Sequence, residues 1–285
     1  MAPVLILGPL RIAWYSLVMI VGLAAALAWL AWADVQRQRL AGKMFPHRRP
    51  FDHRLASAWL TALYRAVDDA LPLSLAALVC GRFAYVAAQW PYFNEHLWQA
   101  LRFWEGGLSA HGALAGCLAL LAWQGWRQPD GGAAAADRCA IPLLWLQLAT
   151  WIACWRAGCA FGRPVDIGRW PWLAVFDWPD FYGVFLPRIP VQGLGALISL
   201  ALLAGAWRFS RQQRPPGELS GAVLFLGALA DAGLQLLRGD EAWLWLGQRA
   251  ALGADLVFMI LGAACFALAW RRNSKCGPNK VKCKR

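Results

Sequence analysis

Residues Ala13–Ala33 read AWYSLVMIVGLAAALAWLAWA, with no charge among them. A helix needs about 20 apolar residues to cross the hydrocarbon core of a bilayer, and this run supplies them. It lacks the small-residue ending of a cleaved leader and is longer than a leader's apolar core, so a retained span is expected. Six more runs follow, near Leu71–Gln89, Ser109–Trp126, Cys139–Phe161, Val191–Phe209, Gly221–Leu237 and Ala251–Trp270. The expected fold is an all-α integral membrane protein with seven transmembrane helices. Lipid offers no partners to the backbone, so each span must bond internally as a helix. Ser57–Ala70 is amphipathic: Trp59, Leu60, Leu63, Tyr64 and Val67 share a face that Arg65, Asp68 and Asp69 avoid. It reads as a short interfacial helix before the second span.

Composition agrees. The 285-residue chain is 59% hydrophobic and only 15% charged, against about 25% charged in an ordinary soluble domain. Its 19 Trp suit a protein with two membrane interfaces. The net charge of +12 is a topology signal and calls for no nucleic acid. Lys and Arg number 18 in the first, third and fifth connections and the tail, against seven on the opposite side. Positive residues stay in the cytoplasm, which puts the N-terminus outside and the C-terminus inside. One membrane domain is expected over residues 1–272, with a basic, disordered cytoplasmic tail over 273–285. The eight Cys are scattered; they show neither a disulfide framework nor a zinc spacing, and read as small buried hydrophobes.

Ionisable residues within spans are costly and default to function. Arg82, His111, Arg156, Asp231, Asp255 and Arg238 are the candidates. All but Asp231 fall toward the outer half. Structural ion pairs and snorkelling are the alternative for any one of them. Together, several Arg and one His suit a phosphate ligand: guanidinium matches phosphate oxygens, and neutral imidazole accepts a proton. Gly106, Gly107 and Gly112 flank His111, either for close approach of a ligand or for helix packing. Gly158, Gly162 and Pro164 read as a helix stop.

In this order the residues resemble the prolipoprotein diacylglyceryl transferase family along essentially the whole chain. Leu7-Gly8-Pro9-Leu10 with Trp14-Tyr15 looks like the family's opening, and Gly81-Arg82 with Tyr85 like its second-span motif. Trp104 through Gly112 is similar to its Gly-Gly-x-Ser-x-His-Gly-Gly stretch, with Ala113 at the final Gly. Gly162-Arg163-Pro164, Arg188-Ile189-Pro190-Val191-Gln192 and Leu237-Arg238-Gly239-Asp240 resemble three further motifs. The family signature itself is altered. An ungapped count from Gly162 puts Trp151 at its Arg, Cys154 and Ala157 at its two Asn, and Cys159 at its Glu; Gly158-Cys159-Ala160-Phe161-Gly162 is similar to a shorter variant. Arg156 is a substitute for the missing Arg, though five residues along a helix turn it by about 140°. Ile189 stands at the family's His, Gly195 at an expected Glu, and Asp231 and Gln235 at the sixth span's Arg and Glu.

The resemblance implies transfer of a diacylglyceryl group from phosphatidylglycerol to the lipobox cysteine of prolipoproteins, in the bacterial cytoplasmic (inner) membrane. A thiolate attacks the glyceryl carbon and glycerol phosphate leaves. His111, Arg238 and Arg156 are the expected catalytic residues. Tyr15, Arg82, Gly112, Gly162, Arg163 and Gln192 are expected to bind substrate. No metal or cofactor is implied. Two other readings stay open: a repurposed or non-catalytic phospholipid-binding paralogue, and a membrane transporter.

Overall fold

The computed structural model describes residues 4–7, 10–40, 53–127, 131–166, 168, 179–180, 182–212 and 214–275. The expected tail beyond Lys275, most of the basic first connection and the Trp-rich stretch 169–178 lie outside them. The described residues are overwhelmingly helical. Seven long helices are present: α1 (Trp14–Leu40), α2 (His53–Ala88), α4 (Ala110–Arg127), α5 (Gly131–Ala157), α6 (Val191–Ser210), α7 (Glu218–Leu237) and α8 (Ala250–Lys275). One helical turn, α3 (Trp90–Phe93), and two 3₁₀ turns (Leu97–Leu101, Phe103–Glu105) fill the second connection. Among the described residues, six helices are long and apolar enough to cross a membrane, and α4 is not one of them. Its 18 residues meet the length but not the apolarity of a span, because His111, Gln124 and Arg127 are among them.

Two expectations change. Ser57–Ala70 is not a separate interfacial helix. It is the first part of α2, which runs 36 residues through Pro72, about 54 Å. Short strands also occur. Val4–Leu7 (β1) and Leu10–Ala13 (β2) form an antiparallel hairpin before α1, and Leu244–Trp245 (β3) and Gln248–Arg249 (β4) form another before α8.

The chain divides into two compact units, residues 26–138, and residues 1–25 with 139–285. In the first, α4 packs on α2 through small residues. A Cβ on Gly112 would strike the Ala84 side chain and the Cys80 carbonyl, and one on Gly116 the Ala76 carbonyl. Here Gly112 takes its packing reading, because the two backbones meet where it lies. At the other end of α2, Arg138 bonds Asp69 at 2.6 Å and lies 3.7 Å from Asp34.

In the second unit, α7 and α8 make the most extensive helix contact. A Cβ on Gly221 would come closer than 3.0 Å to Phe266 N and the Gly262 carbonyl, and one on Gly262 would meet Phe225 N and the Gly221 carbonyl in the same way. Backbone, which cannot rotate away, is what a side chain would strike. Gly262→Leu is therefore expected to part the two helices. Loss of a discrete thermal transition in detergent, with sharply reduced membrane yield, is the outcome to measure; a wild-type melting profile contradicts this packing.

Candidate functional site

In the second unit a polar cluster lies where α5 and α7 end and α6 and α8 begin. The chain leaves α5 by a glycine-terminated cap: Gly158 takes φ 71°, and Cys159 N donates to the Cys154 carbonyl (3.1 Å). This six-residue closure commonly carries an apolar contact between its first and last side chains. Here that contact is a disulfide, Cys154–Cys159, with Cα atoms 4.8 Å apart. The reading of the cysteines as unbonded small hydrophobes is corrected for this pair. The helix cap brings together two thiols whose spacing in sequence matches no common framework. Among the described residues, Cys80, Cys117, Cys139 and Cys265 take part in no disulfide.

Beyond the cap, three segments pair side by side. Residue 162 bridges to Arg238, and Pro164 to Arg188. Arg163 N donates to the Leu237 carbonyl (3.0 Å), Gly239 N to Phe161 (2.8 Å) and Ile189 N to Arg163 (3.1 Å). This strap ties the end of α5, the start of α6 and the end of α7. Gly162 is essential to it sterically, since a Cβ would overlap the Ile189 carbonyl. Its place in the strap is a close backbone approach. Trp151, Ala160, Val191 and Leu234 form the buried core next to the strap. The Trp151 ring occupies the space above Gly195, where any Cβ would strike it.

The arginines stand on this platform. Arg238, at the end of α7, donates from Nε and Nη2 to the two Asp240 carboxylate oxygens, at 2.9 and 2.5 Å. Arg249 donates to the same carboxylate at 3.0 Å, to the Asp240 carbonyl at 2.8 Å and to Gln235 Oε1 at 3.1 Å. Gln235 in turn donates to Asp231 Oδ2 at 3.1 Å. Arg163 is exposed, its Nε 3.4 Å from the Arg238 carbonyl. Two guanidinium groups share the Asp240 carboxylate, and exposed Arg163 lies beside them. Burial opposes the charge on Arg238, but its bond to Asp240 and the attraction of Asp240, Asp231 and Asp255 outweigh that and raise its pKa. Burial likewise opposes the Asp240 carboxylate, and the two arginines outweigh it and lower its pKa. For Arg249, burial and the neighbouring Arg238 and Arg163 charges together lower it despite Asp240.

A pH dependence follows. A carboxyl lowered in the folded state stabilises fully above the unfolded value of about 3.9 and loses that contribution as pH falls through its folded value. The thermal midpoint of the detergent-solubilised protein is expected to hold its Asp240 contribution at neutral pH and lose it in strong acid. Asp240→Asn should lower the neutral midpoint and flatten part of the acid limb. Identical acid limbs would show that Asp240 does not titrate with folding.

The other expected residues fall as follows. Arg156, in the last turn of α5, is exposed and lies 5.6 Å from the Trp14 ring centre. Tyr15, at the start of α1, is 39% exposed. Gln192 donates to the Cys159 carbonyl at 2.9 Å, so it steadies the capped turn, and it lines a cleft with Trp155, Phe161 and Arg188. Arg188, not singled out from sequence, bonds buried Asp180 at 2.7 Å and lies over Phe161. In the first unit, His111 is half-buried in the first turn of α4, which Ser109 caps by accepting a bond from Gly112 N (3.2 Å). Arg82 donates to the carbonyls of Gln99, Ala100, Gly106 and Gly107 at 2.5 to 3.0 Å. It holds the second connection in shape. Arg249 was also missed by sequence reading, since it stands in a short connection whose hairpin carried no signal.

A family model described as prolipoprotein diacylglyceryl transferase matches residues 3–268. Three similar proteins bear the name phosphatidylglycerol–prolipoprotein diacylglyceryl transferase. The one from Rhodopseudomonas palustris is 30% identical over 93% of this chain and 88% of its own length. That from Bradyrhizobium diazoefficiens is 29% identical over 94% and 91%. That from Solidesulfovibrio magneticus is 31% identical over 86% and 87%.

Proposed function

Because the chain belongs to the prolipoprotein diacylglyceryl transferase family, we propose that it is a transferase of lipoprotein biosynthesis, moving a diacylglyceryl group from phosphatidylglycerol to a prolipoprotein lipobox cysteine. The observation that carries the site is the cationic cluster of Arg238, Arg249 and Arg163 around Asp240. The reaction forms a carbon–sulfur bond at the glyceryl carbon and releases glycerol phosphate. Charge grows on that phosphate as the carbon–oxygen bond breaks, and fixed cations aimed at it lower the barrier. Arg238 is the principal clamp, with Arg163 and Arg156 beside the same membrane face. The thiol must become thiolate to react, and His111 is the proton acceptor. Tyr15 and Gln192 position the headgroup.

We assign seven spans, α4 being the seventh, in the bacterial inner membrane, with the N-terminus outside and the tail in the cytoplasm. The basic asymmetry supports this orientation. So does the disulfide beside the arginines, since disulfides persist in oxidising compartments. Both substrates of the reaction reach that outer face.

A second reading, a phospholipid-binding paralogue without transfer activity, draws on the altered signature. Positions where the resemblance expects Arg, Asn and Glu hold buried Trp151 and the Cys154–Cys159 disulfide. Complementation of a strain depleted of the family enzyme, followed by a lipidation assay, separates the two. Wild-type chain is expected to support growth and His111→Ala to fail. A wild-type chain that reaches the membrane and lipidates nothing would exclude the transferase.

A further inference from the structure

We propose that Arg249 is a positioning residue of the phosphate clamp: it fixes Arg238 through the shared Asp240 carboxylate. The proposal deepens the transferase reading and rests on it.

Sequence and local structure place Arg249 tightly. The turn Leu246-Gly247 has both residues at positive φ, 51° and 74°, as a two-residue hairpin requires. Gln248 then pairs with Trp245, and Arg249 with Leu244. Ala250 N closes the hairpin on the Trp243 carbonyl at 2.9 Å, and α8 starts there. The backbone of Arg249 is therefore held on both sides. Its side chain is only 13% exposed.

Its bonds run in two directions. Toward the surface, it bonds both the carboxylate and the carbonyl of Asp240, so it fixes the rotamer and the backbone of the residue that orients Arg238. Toward the membrane, Nε bonds Gln235, which is 2% exposed and bonds Asp231. One continuous chain, Asp231–Gln235–Arg249–Asp240–Arg238, links α7 to the residues that follow it through β4. Without Arg249, Asp240 would neutralise Arg238 as a simple pair. With it, the Asp240 carboxylate is divided between two cations, so it neutralises Arg238 less completely and leaves that guanidinium better able to hold an anionic phosphate ester. Lysine could supply the charge but not the planar fork that spans Gln235 and Asp240 together.

The test uses the full chain in nanodiscs containing phosphatidylglycerol or phosphatidylcholine, with a lipobox peptide carrying a free Cys as acceptor. Arg249→Ala is expected to lower turnover at saturating phosphatidylglycerol by about tenfold to a hundredfold, the scale of a small misplacement of a catalytic group. The double variant Arg238→Ala/Arg249→Ala should be no slower than Arg238→Ala alone, because one residue acts through the other. Arg249→Gln and Arg249→Lys serve if the alanine variant folds poorly, and Lys should fall between alanine and wild type. Losses that multiply, wild-type turnover in Arg249→Ala, or failure of all three variants to fold while Arg238→Ala folds, would overturn the proposal. If wild-type chain labels no peptide, the transferase reading itself fails. Arg249 is then judged by phosphatidylglycerol retained over phosphatidylcholine after detergent washing. Loss of that preference in Arg249→Ala, not deepened in the double variant, upholds the role; unchanged preference overturns it.

Discussion

Arg238→Ala is expected to reduce diacylglyceryl transfer by at least about 100-fold, the usual cost of removing one donor aimed at developing charge. The side chain makes two bonds to Asp240 at the end of a helix tied to the strap through Leu237 and Gly239. It is thus held before substrate arrives, and its loss also leaves the Asp240 carboxylate with Arg249 alone. Arg238→Lys should recover little, since a single ammonium cannot hold both carboxylate oxygens and face the phosphate. Arg271→Ala, in an exposed position at the far end of α8, is the control and should transfer normally. The assay is labelling of a lipobox peptide in phosphatidylglycerol nanodiscs. Arg238→Ala with more than about a tenth of wild-type turnover would remove this residue from the clamp.

Trp151→Arg should prevent folding, although it writes back the residue that the family resemblance expects. Trp151 is 6% exposed and packs on Gly195 within an apolar core. An Arg there would be a buried charge without a partner, which costs about 3–5 kcal/mol, and it would leave part of the indole's volume empty. That is comparable to a whole domain's stability. Gly195→Glu alone should also fail, because the indole fills the space a side chain needs. The double variant Trp151→Arg/Gly195→Glu is expected to recover membrane yield, since it exchanges a large-and-small pair for a charged pair across the same α5–α6 contact. Yield and thermal midpoint of the four proteins form a double-mutant cycle. Simple additivity would show that the two positions do not depend on each other.

This pair explains how the chain keeps the family's span pattern while losing part of its signature. Where a charge was given up, volume was supplied. The Asn and Glu positions tell a similar story, with the Cys154–Cys159 bond closing a cap that side-chain polar groups no longer serve.

What the sequence determined by itself is the membrane solvent, the helices and the breaks between them. Ala13–Ala33 anticipates α1, Val191–Phe209 anticipates α6, and Gly158 marks the stop of α5. Hydropathy, glycine and proline act locally, so a short window carries them. It also grouped Arg163 and Arg238, which the motif order brings close. Only the tertiary structure showed that Arg82 bonds loop carbonyls, that Gly112 and Gly162 sit at close backbone approaches, that Cys154 and Cys159 are joined, and that Arg249 shares the Asp240 carboxylate. It likewise merged the amphipathic Ser57–Ala70 segment into one long α2. Each of these depends on which atoms a fold brings together. A guanidinium binds a carbonyl or a phosphate with the same donors, and only the neighbours fixed by packing decide between them.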